Sequence, residues 1–565
     1  MKRLSALILA MMLAAAAAFG AEDEDAITDI EEKPHFESGA YIAGEEREGP
    51  GVKKGEGFDL SVPEILITGR IDTRILLKRE ISSMENIQDI KSILYEKGRV
   101  EMPYSYLKEL ELSPQASGRA AEKDYVGRLS LLGGTFSSFT ADLILGKVMK
   151  DKSSIVFRGR HENYENERRN SRDTYDNKNY GVIFYEAFYD DIRASYNAGF
   201  TMNLFSNPYP GNPFGSSHSN GIFNASAGFS GTTAGVDYNA VVKYLYFTLQ
   251  RDGGRAVYTE NRAEAGAYAE RDFMADDKTK IKAVVNAKGY GAFTESDFID
   301  YSNPYDIESV FKVILYFEPV IFQGGFRVQG YRDDKEYYRM SPYLSAAWDI
   351  LPWASLYADF KPRLMTPDYT EKLRVPFILP SKDALVPAQS ANLRTGLNMS
   401  LFEVFADLYF SYYSVKNYAY LDTPAGENYF TFYNRDLDYT EAGITVETLK
   451  IRDFKVVAGY SYRNILGPGP VKITYFPAHS AEAAFIYEPD EWRFEAGLDT
   501  ASDALGTLHE TAGAYVALNL KASRRINDYF TIGGYVNNVL NNNYYLLYYY
   551  REKGLNLGLE AVIGF

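Results

Sequence analysis

The chain has 565 residues, no cysteine and a formal net charge of −16 at pH 7. Without cysteine it has no disulfide framework, no thiolate metal site, no catalytic thiol and no lipoprotein anchor. Its lysines and arginines are interleaved with acids rather than gathered in basic stripes, so a nucleic-acid partner is not expected.

Aromatic residues are abundant, with 47 Tyr and 34 Phe against only 3 Trp. A tyrosine ring is apolar and its hydroxyl needs water, so this composition suits a boundary between lipid and water. An aromatic-rich soluble β-protein is the alternative on composition alone. The histidines are scattered without ligand-like neighbours, so no metal site and no cofactor are predicted. They are His35, His161, His218, His479 and His509.

The first twenty residues have the pattern of a secretory signal peptide. Basic Lys2 and Arg3 precede an apolar run that ends in small residues before an acidic cluster. We expect cleavage near Gly20, so that residues 1–20 are removed. Residues 21–59 carry many acids and few apolar side chains, which predicts a disordered periplasmic tail. No later run has the ~18 apolar residues of a spanning helix, so any membrane span must consist of strands.

A short apolar segment follows the tail, and it consists of Glu64, Ile65, Leu66, Ile67, Thr68 and Gly69. It resembles the TonB box of TonB-dependent receptors, in which an acid, three hydrophobic residues, a threonine and a glycine precede the plug domain. The resemblance implies that the segment adds as an extended strand to a TonB-type periplasmic energising protein. The alternative is a strand packed at the foot of the domain that follows.

Residues 60–124 are too few for the full plug domain of that family. Within them apolar residues recur every three or four positions from Ile81 to Leu94, which indicates a short helix. Ser82 and Glu85 can cap the start of this helix. Such a helix covers only part of a wide lumen. We therefore expect the plug to be missing or strongly reduced.

From Tyr125 onward, amphipathic runs of roughly ten residues are separated by turn signals. In the last run, residues 555–565, large apolar side chains alternate with polar or small ones, as on a strand with one lipid-facing side. A chain that closes on such a strand and an aromatic residue resembles a bacterial outer-membrane barrel. Residues 125–565 are thus predicted to form an all-β, antiparallel transmembrane β-barrel of about 22 strands.

The predicted connections alternate between short and long. Ser230–Thr233 and Glu318–Pro319 are expected to be tight periplasmic turns, whereas 366–389 and 419–436 are expected to be long outer loops. A soluble sandwich has no reason to keep this alternation over so many strands. We expect the lumen to be narrowed by the short segment before the barrel, by inward-folded outer loops or by a separate plug protein, and we favour the first two. The four prolines of 366–389 suit a fixed extended path for a loop that folds inward.

Charged residues occupy alternate positions in several predicted strands, opposite apolar ones. A charge that faces mid-bilayer lipid would cost ~2–4 kcal/mol, so these side chains are expected to face a wet lumen of mixed sign. The lumen-facing candidates are Arg262, Glu264, Glu270, Lys280, Lys282, Lys288, Glu491, Arg493 and Glu495.

Three further stretches resemble TonB-dependent receptors by their order and spacing to the C-terminus. Residues 529–545 are similar to a hairpin motif of the family, and residues 433–447 to a strand entry. Residues 385–397 are similar to its "L-x-P-E-x-x-x-x-x-E-x-G" pattern, with Ala388 and Arg394 in place of the acids. The resemblance implies outer-membrane uptake of a scarce small molecule or glycan, such as an iron chelate, cobalamin or an oligosaccharide.

Two other functions remain open from the sequence, a passive porin-like channel and a surface-displayed binding or adhesion barrel. Enzymatic activity is not predicted, because the chain has no nucleophile elbow, zinc-protease motif, phosphate loop or dinucleotide fingerprint, and we name no catalytic residue. In each reading the chain is exported to the outer membrane of a Gram-negative-type envelope and contacts its lipid.

Overall fold

The structure is a computed structural model that describes residues 125–565 with short gaps. The gaps are 136–137, 150–152, 167–173, 190–191, 207–216, 252–253, 277–278, 298–302, 318, 334, 368–372, 374–385, 402–403, 423–430, 449–452, 468–472, 475, 505–512, 543–544, 548–549 and 552–553. The predicted signal peptide, acidic tail, TonB-box-like segment and plug-like segment lie outside the described residues. Within the described ranges, no helix is both long and apolar enough to cross a membrane.

The described chain is built from strands. The first twelve are β1 Tyr125–Gly134, β2 Phe139–Val148, β3 Ser154–Asn166, β4 Thr174–Tyr189, β5 Ile192–Ser206, β6 Ser217–Thr233, β7 Val236–Arg251, β8 Arg255–Asp276, β9 Thr279–Ser296, β10 Tyr305–Phe317, β11 Val320–Arg332 and β12 Glu336–Leu351. The others are β13 Ala354–Phe360, β14 Arg363–Met365, β15 Ala388–Leu401, β16 Val404–Asp422, β17 Thr431–Thr448, β18 Phe454–Leu466, β19 His479–Tyr487, β20 Trp492–Ala501, β21 Tyr515–Asn527, β22 Phe530–Asn537, β23 Tyr545–Leu547, β24 Tyr550–Arg551 and β25 Asn556–Gly564.

The strands form one closed antiparallel ring, because each pairs with its neighbours in sequence and β1 pairs with β25. Strands β13 and β14 both pair with β15 and together form one stave, by which we mean one length of chain that crosses the barrel wall. Strands β23 and β24 form a separate hairpin. The ring therefore has 22 staves, and the predicted all-β barrel is confirmed. The length of chain that contains β13 and β14 is interrupted at Lys361 and Pro362, since proline has no N–H to donate to the ladder.

One predicted turn was placed too early in the chain. Instead of turning at Ser230–Thr233, β6 continues through Thr233, which pairs with Val236. The turn consists of Ala234 and Gly235, whose φ angles are 49° and 73°. Positive φ at both central residues is the geometry of a type I′ turn, which matches the twist of the flanking strands. Gly235 adopts a positive φ easily, whereas an alanine such as Ala234 was not expected in this conformation.

The connections separate into two rims. Short turns such as 234–235, 352–353 and 528–529 lie on the same rim as the start of β1 and the end of β25, which we call the short-turn rim. The opposite, long-loop rim carries connections such as 366–387 and 538–555. In outer-membrane barrels the short turns are periplasmic and the long loops external.

The ring closes where the last residue meets β1. The backbone N–H of Gly127 donates to the Phe565 oxygen at 2.8 Å, and the Phe565 N–H returns a bond to Gly127 at 2.9 Å. The Phe565 ring fills the space where a Cβ on Gly127 would stand, so a larger residue at 127 would require the ring to move. On the other face of the seam, Glu560 accepts a bond from Ser130 and pairs with Lys521.

The two faces of the ring differ in composition and exposure. On β10, Phe311 and Val313 are 39% and 41% exposed, whereas Val310 and Ile314 on the other face are 1% and 9% exposed. A closed sheet has one outer and one crowded inner face, so the exposed apolar side chains mark the outer face. Exposed aromatic residues gather near the short-turn rim, as in an interfacial girdle. They are Phe317, Trp348, Trp353, Phe454, Trp492, Tyr529 and Phe565.

Candidate functional site

The inner face of the ring, which we call the inner wall, carries the charged side chains of β7, β8 and β9. Arg262 is 5% exposed and pairs with Glu260 at 2.6 Å and with Glu264 at 3.6 Å. Glu264 also pairs with Lys243 of β7 at 3.5 Å. The Arg262 guanidinium lies 4.6 Å from the ring centre of Tyr290 on β9. Two of the sequence candidates, Arg262 and Glu264, are thus brought together in one chain of ion pairs.

The candidates on β8 and β9 continue this pattern. Glu270 pairs with Lys282 at 2.9 Å across the hairpin, and the contact is diagonal, because Lys282 stands opposite Asp272 in the ladder. Lys280 pairs with Asp272 at 2.6 Å, and both side chains are about half exposed. Each of these contacts joins residues on neighbouring strands, so the ladder register fixes the pairs. A further pair across the ladder joins Lys288 to Glu308 at 3.1 Å.

The candidates around β20 occupy two different settings. Arg493 pairs with Glu488 and with Glu495, and Glu495 is buried on the inner wall. Glu491 lies in the turn before Trp492, where its exposed side chain pairs with Arg524 at 3.4 Å. The strand contributes Arg493 and Glu495 to the inner wall, and the turn holds Glu491 at the short-turn rim.

Across the ring a second group of polar side chains joins β13, β15 and β16. Arg394 donates from Nε to the Tyr357 hydroxyl at 3.1 Å and from Nη2 to Asp407 Oδ2 at 3.0 Å. The Tyr357 hydroxyl donates to Asp407 Oδ1 at 2.8 Å, which closes a triangle of three hydrogen bonds. All three side chains are buried. Arg394 occupies a position where the family pattern has an acid, and in this chain it forms an ion pair with an acid, Asp407.

The same group extends to β17 and β18. Tyr409 and Arg463 both donate to Glu441, at 2.8 Å each, and Glu441 is fully buried. The Arg394 guanidinium lies 4.0 Å from the ring centre of Tyr409, which links this group to the previous triangle. A Cβ on Gly443 would lie 2.5 Å from the Tyr409 ring, so the missing side chain makes room for the ring. We call these six polar residues, Tyr357, Arg394, Asp407, Tyr409, Glu441 and Arg463, the inner-wall network.

The inner wall changes character toward the long-loop rim, where a contiguous apolar cluster replaces the charges. This mouth cluster joins the ends of β5–β8 to those of β14–β18. On the ring, β9–β13 separate the two groups on one side and β19–β25 with β1–β4 on the other. Its members are Phe205, Ile222, Phe247, Leu249, Val257, Tyr258, Met365, Leu373, Ala388, Tyr413, Val415, Tyr418, Ala419, Tyr420, Leu421, Phe432, Leu437, Tyr439, Ile473 and Phe476.

Loop residues contribute directly to the mouth cluster. Leu373 belongs to the loop that was expected to fold inward, and it is 1% exposed. At the base of that loop, Thr366 donates to the buried Asp306 of β10 at 3.2 Å. Phe476, from the connection between β18 and β19, meets the Tyr439 ring edge-on at 5.2 Å. Tyr439 stacks on Tyr413 at 4.5 Å in turn. Leu373 and Phe476 therefore pack into the mouth cluster from the loops.

Sequence reasoning found the β8–β9 and β20 charges but missed most of the network and the mouth cluster. Strand periodicity signals which face a residue occupies, and it was available for Asp407 and Glu441 as well. It does not signal which residues meet across the ring. Among the residues that the structure describes, no group of three or more acidic or histidine side chains could hold a metal ion.

Neither a protein-family model nor a curated protein matches the chain. Solved structures do match. The siderophore receptor PirA from Acinetobacter baumannii is 9% identical with a TM-score of 0.63, over 78% of this chain and 81% of its own. A mutant of the ferric enterobactin receptor PfeA from Pseudomonas aeruginosa is 11% identical with a TM-score of 0.61, over 78% and 80%. The copper transporter OprC is 14% identical with a TM-score of 0.60, over 78% and 80%. The chain has the barrel fold of TonB-dependent receptors.

Proposed function

We propose that the chain is an outer-membrane protein that imports a scarce solute through its barrel in the manner of a TonB-dependent receptor. The observation that carries the proposal is the mouth cluster within a 22-stave ring. A ring of this size is wide enough for a large solute, yet apolar side chains from opposite staves meet across its mouth. A solute can enter only when these contacts open, which favours gated, energised passage over passive leak.

Each part of the chain has a role in this proposal. Residues 1–20 direct export, residues 21–59 form a periplasmic tail, and residues 60–124 form a reduced plug-like segment. Within the last, Glu64–Gly69 bind the TonB-type energising protein by strand addition. Residues 125–565 cross the outer membrane, with the exposed apolar face against lipid. The role is transport without catalysis.

The solute belongs to the class of iron chelates, cobalamins or glycans. The names of the structural neighbours, a siderophore receptor, a ferric enterobactin receptor and a copper transporter, favour a metal or metal chelate within that class. The charged side chains of the inner wall, among them Arg262, Lys288 and Arg493, suit a polar solute of this kind.

Deletion of Pro63–Arg70 tests the energised role. Cells without receptors of their own would express the full chain and be given labelled ferric enterobactin, cobalamin or a maltodextrin. We expect accumulation of one probe, and its loss in the deletion, while a deletion of equal length within residues 40–47 has no effect. Uptake that persists without Pro63–Arg70 would instead support a passive channel. Cell-surface binding without any uptake would support an adhesion barrel.

Conductance in planar bilayers tests the closed mouth. The wild-type protein should show small or no conductance, because the mouth cluster narrows the path. Removal of residues 368–385 should raise conductance if that loop is the main lid, and removal of residues 70–115 should raise it if the plug-like segment is. Large and stable open steps in the wild type would contradict a self-occluded barrel.

A further inference from the structure

Three cationic side chains converge on one buried tyrosine of the inner wall, at a place that the ion-pair chains described above do not use. The Nζ atoms of Lys312 and Lys361 lie 5.2 Å and 5.1 Å from the ring centre of Tyr343, and the Arg327 guanidinium lies 5.8 Å from it. Tyr343 is 3% exposed. The cations come from β10, from the break between β13 and β14, and from β11, so several staves build this Tyr343 site together.

A glycine makes the convergence possible. Gly325 of β11 stands in register between Lys312 of β10 and Tyr343 of β12. A Cβ on Gly325 would lie 2.7 Å from the Lys312 Cα and would also overlap the Phe311 carbonyl oxygen. Because no side chain stands at this position, the Lys312 side chain can cross the middle strand and reach the Tyr343 ring.

The cations of the site differ in whether a carboxylate lies beside them. Arg327 pairs with Glu308 at 2.8 Å, and Lys361 pairs with Asp359 at 3.2 Å. Glu308 is shared with Lys288. Within the part of the chain that the structure describes, Lys312 has no carboxylate within ion-pair distance. Its ammonium group lies over the face of the Tyr343 ring instead. Lys312 is therefore the cation of this site that lacks a carboxylate in the described ranges, in a region where like charges repel.

Two buried hydroxyls lie beside the site. Ser341 and Ser345 flank Tyr343 at alternate positions of β12, on the same inner face, and are 2% and 3% exposed. Neither side-chain oxygen has a hydrogen-bond partner in the described parts of the chain. A buried hydroxyl without a partner is costly, and native proteins keep such groups chiefly where a ligand or water completes them. Two of them beside an unmatched lysine indicate a missing acceptor.

We propose that the Tyr343 site binds an anionic oxygen group of the transported solute, a carboxylate or a phosphate. Lys312 supplies the charge-assisted hydrogen bond, and one of the Ser341 and Ser345 hydroxyls donates to a further oxygen. The two serines stand four residues apart on β12, about 13 Å between Cα atoms, so only one of them reaches a given carboxylate or phosphate. Arg327 and Lys361, held by their own carboxylates, keep the surrounding potential positive. The inference rests on the proposed transport function and narrows its substrate class to anionic solutes. The site lies deeper than the mouth cluster, so a solute reaches it after it has passed the mouth.

The test is a binding measurement on the full chain in detergent, with citrate and inorganic phosphate as probes. Calorimetric titrations would be made at constant ionic strength, with chloride as the background anion. We expect saturable binding of at least one probe by the wild type. Lys312→Gln should weaken it about tenfold or more, the loss of one charged hydrogen bond, and the double variant Ser341→Ala, Ser345→Ala should also weaken it. Lys312→Arg should restore most of the affinity.

Lys455→Gln is the matched control, because Lys455 of β18 is a partly exposed lysine that pairs with Glu447 at 3.2 Å, away from Tyr343. It should leave the affinity unchanged. Heat-modifiable migration would confirm that each variant is folded. The proposal is overturned if the wild type binds neither probe, or if Lys455→Gln and Lys312→Gln weaken binding equally. Binding that appears only after removal of residues 60–124 would overturn it too, because an acid of the chain itself would then be the occupant. No transport partner enters this measurement, so failure of the proposed function would show separately, in the uptake experiment.

Discussion

The inner-wall network and the mouth cluster adjoin on the same two strands and use tyrosine in opposite ways. In the network, Tyr409 donates its hydroxyl to Glu441. One step along the pairing ladder, Tyr439 stacks on Tyr413, and its buried hydroxyl has no partner among the described residues. Tyrosine is thus a hydrogen-bond donor in the network and an aromatic surface in the mouth. The same residue type contributes through polarity at one depth and through packing at the next.

The largest effect should come from breaking the network at its centre. Arg394→Ala leaves the Asp407 carboxylate buried without its cation, and removing one partner of a buried ion pair costs about 3–5 kcal/mol. Urea titration of the protein in detergent, followed by heat-modifiable migration, would measure the change. The double variant Arg394→Met, Asp407→Leu should recover much of the loss. A stability within 1 kcal/mol of the wild type for Arg394→Ala, judged on the scale of a surface pair, would show that the network is not a unit.

A smaller effect should follow from filling the space below Tyr409. Gly443→Ala places a methyl group 2.5 Å from the ring, and overpacking of this kind costs about 1–3 kcal/mol. The control is Gly291→Ala, since a Cβ there has no atom within 4 Å. The same urea titration should show a loss for the first variant only. Equal losses would mean that strand propensity, and not the ring contact, sets the cost.

Two matched hydroxyl deletions test the comparison directly. Tyr409→Phe leaves Glu441 short of one donor, so we expect a loss of about 1–3 kcal/mol. Tyr439→Phe keeps the stacked ring and removes a hydroxyl without a partner, so we expect no loss or a slight gain in stability. Unfolding midpoints of the two variants, measured side by side, give the answer. If Tyr439→Phe is the more damaging change, the mouth is not held by packing.

The smallest effect should come from an exposed ion pair near the short-turn rim. Lys280 and Asp272 are both about half exposed, so water screens the pair and its contribution is at most about 1 kcal/mol. Lys280→Gln should shift the urea midpoint only slightly, and added salt should remove the remaining difference. A loss as large as that of Arg394→Ala would mean that this pair is far less solvated than its exposure indicates.

Much of this architecture follows from strand periodicity. Alternation placed Arg262, Glu264 and Glu270 on a single face of β8 before any partner was known, because side chains on a strand repeat every two residues. The number of amphipathic runs between turn signals gave the strand count, and the alternation of short and long connections supported it. These signals are local, and each is repeated many times along the chain.

The remaining features depend on register and on distant contacts. The partner of Glu270 is fixed by where the β8–β9 turn lies, and a turn misplaced by a few residues, as at Ala234–Gly235, changes every pair beyond it. The contact of Tyr409 with Gly443 needs two strands in exact alignment. The mouth cluster brings together staves that are far apart in sequence, such as those of Phe247 and Tyr439. No local sequence pattern predicts which of these side chains come into contact.

The mouth cluster also has a mechanical consequence. A ring of β-strands resists stretching along its hydrogen bonds but flattens easily into an oval, because neighbouring staves can hinge. Packed side chains that join β5–β8 to β14–β18 act as a cross-brace and hold the ring at one width in that direction. When the brace opens, the cross-section gains freedom to change shape. Under the proposed outer-membrane transport function, opening of the mouth is coupled to the lateral pressure of the bilayer around the barrel, and lipids that compress the barrel should favour the braced, closed form.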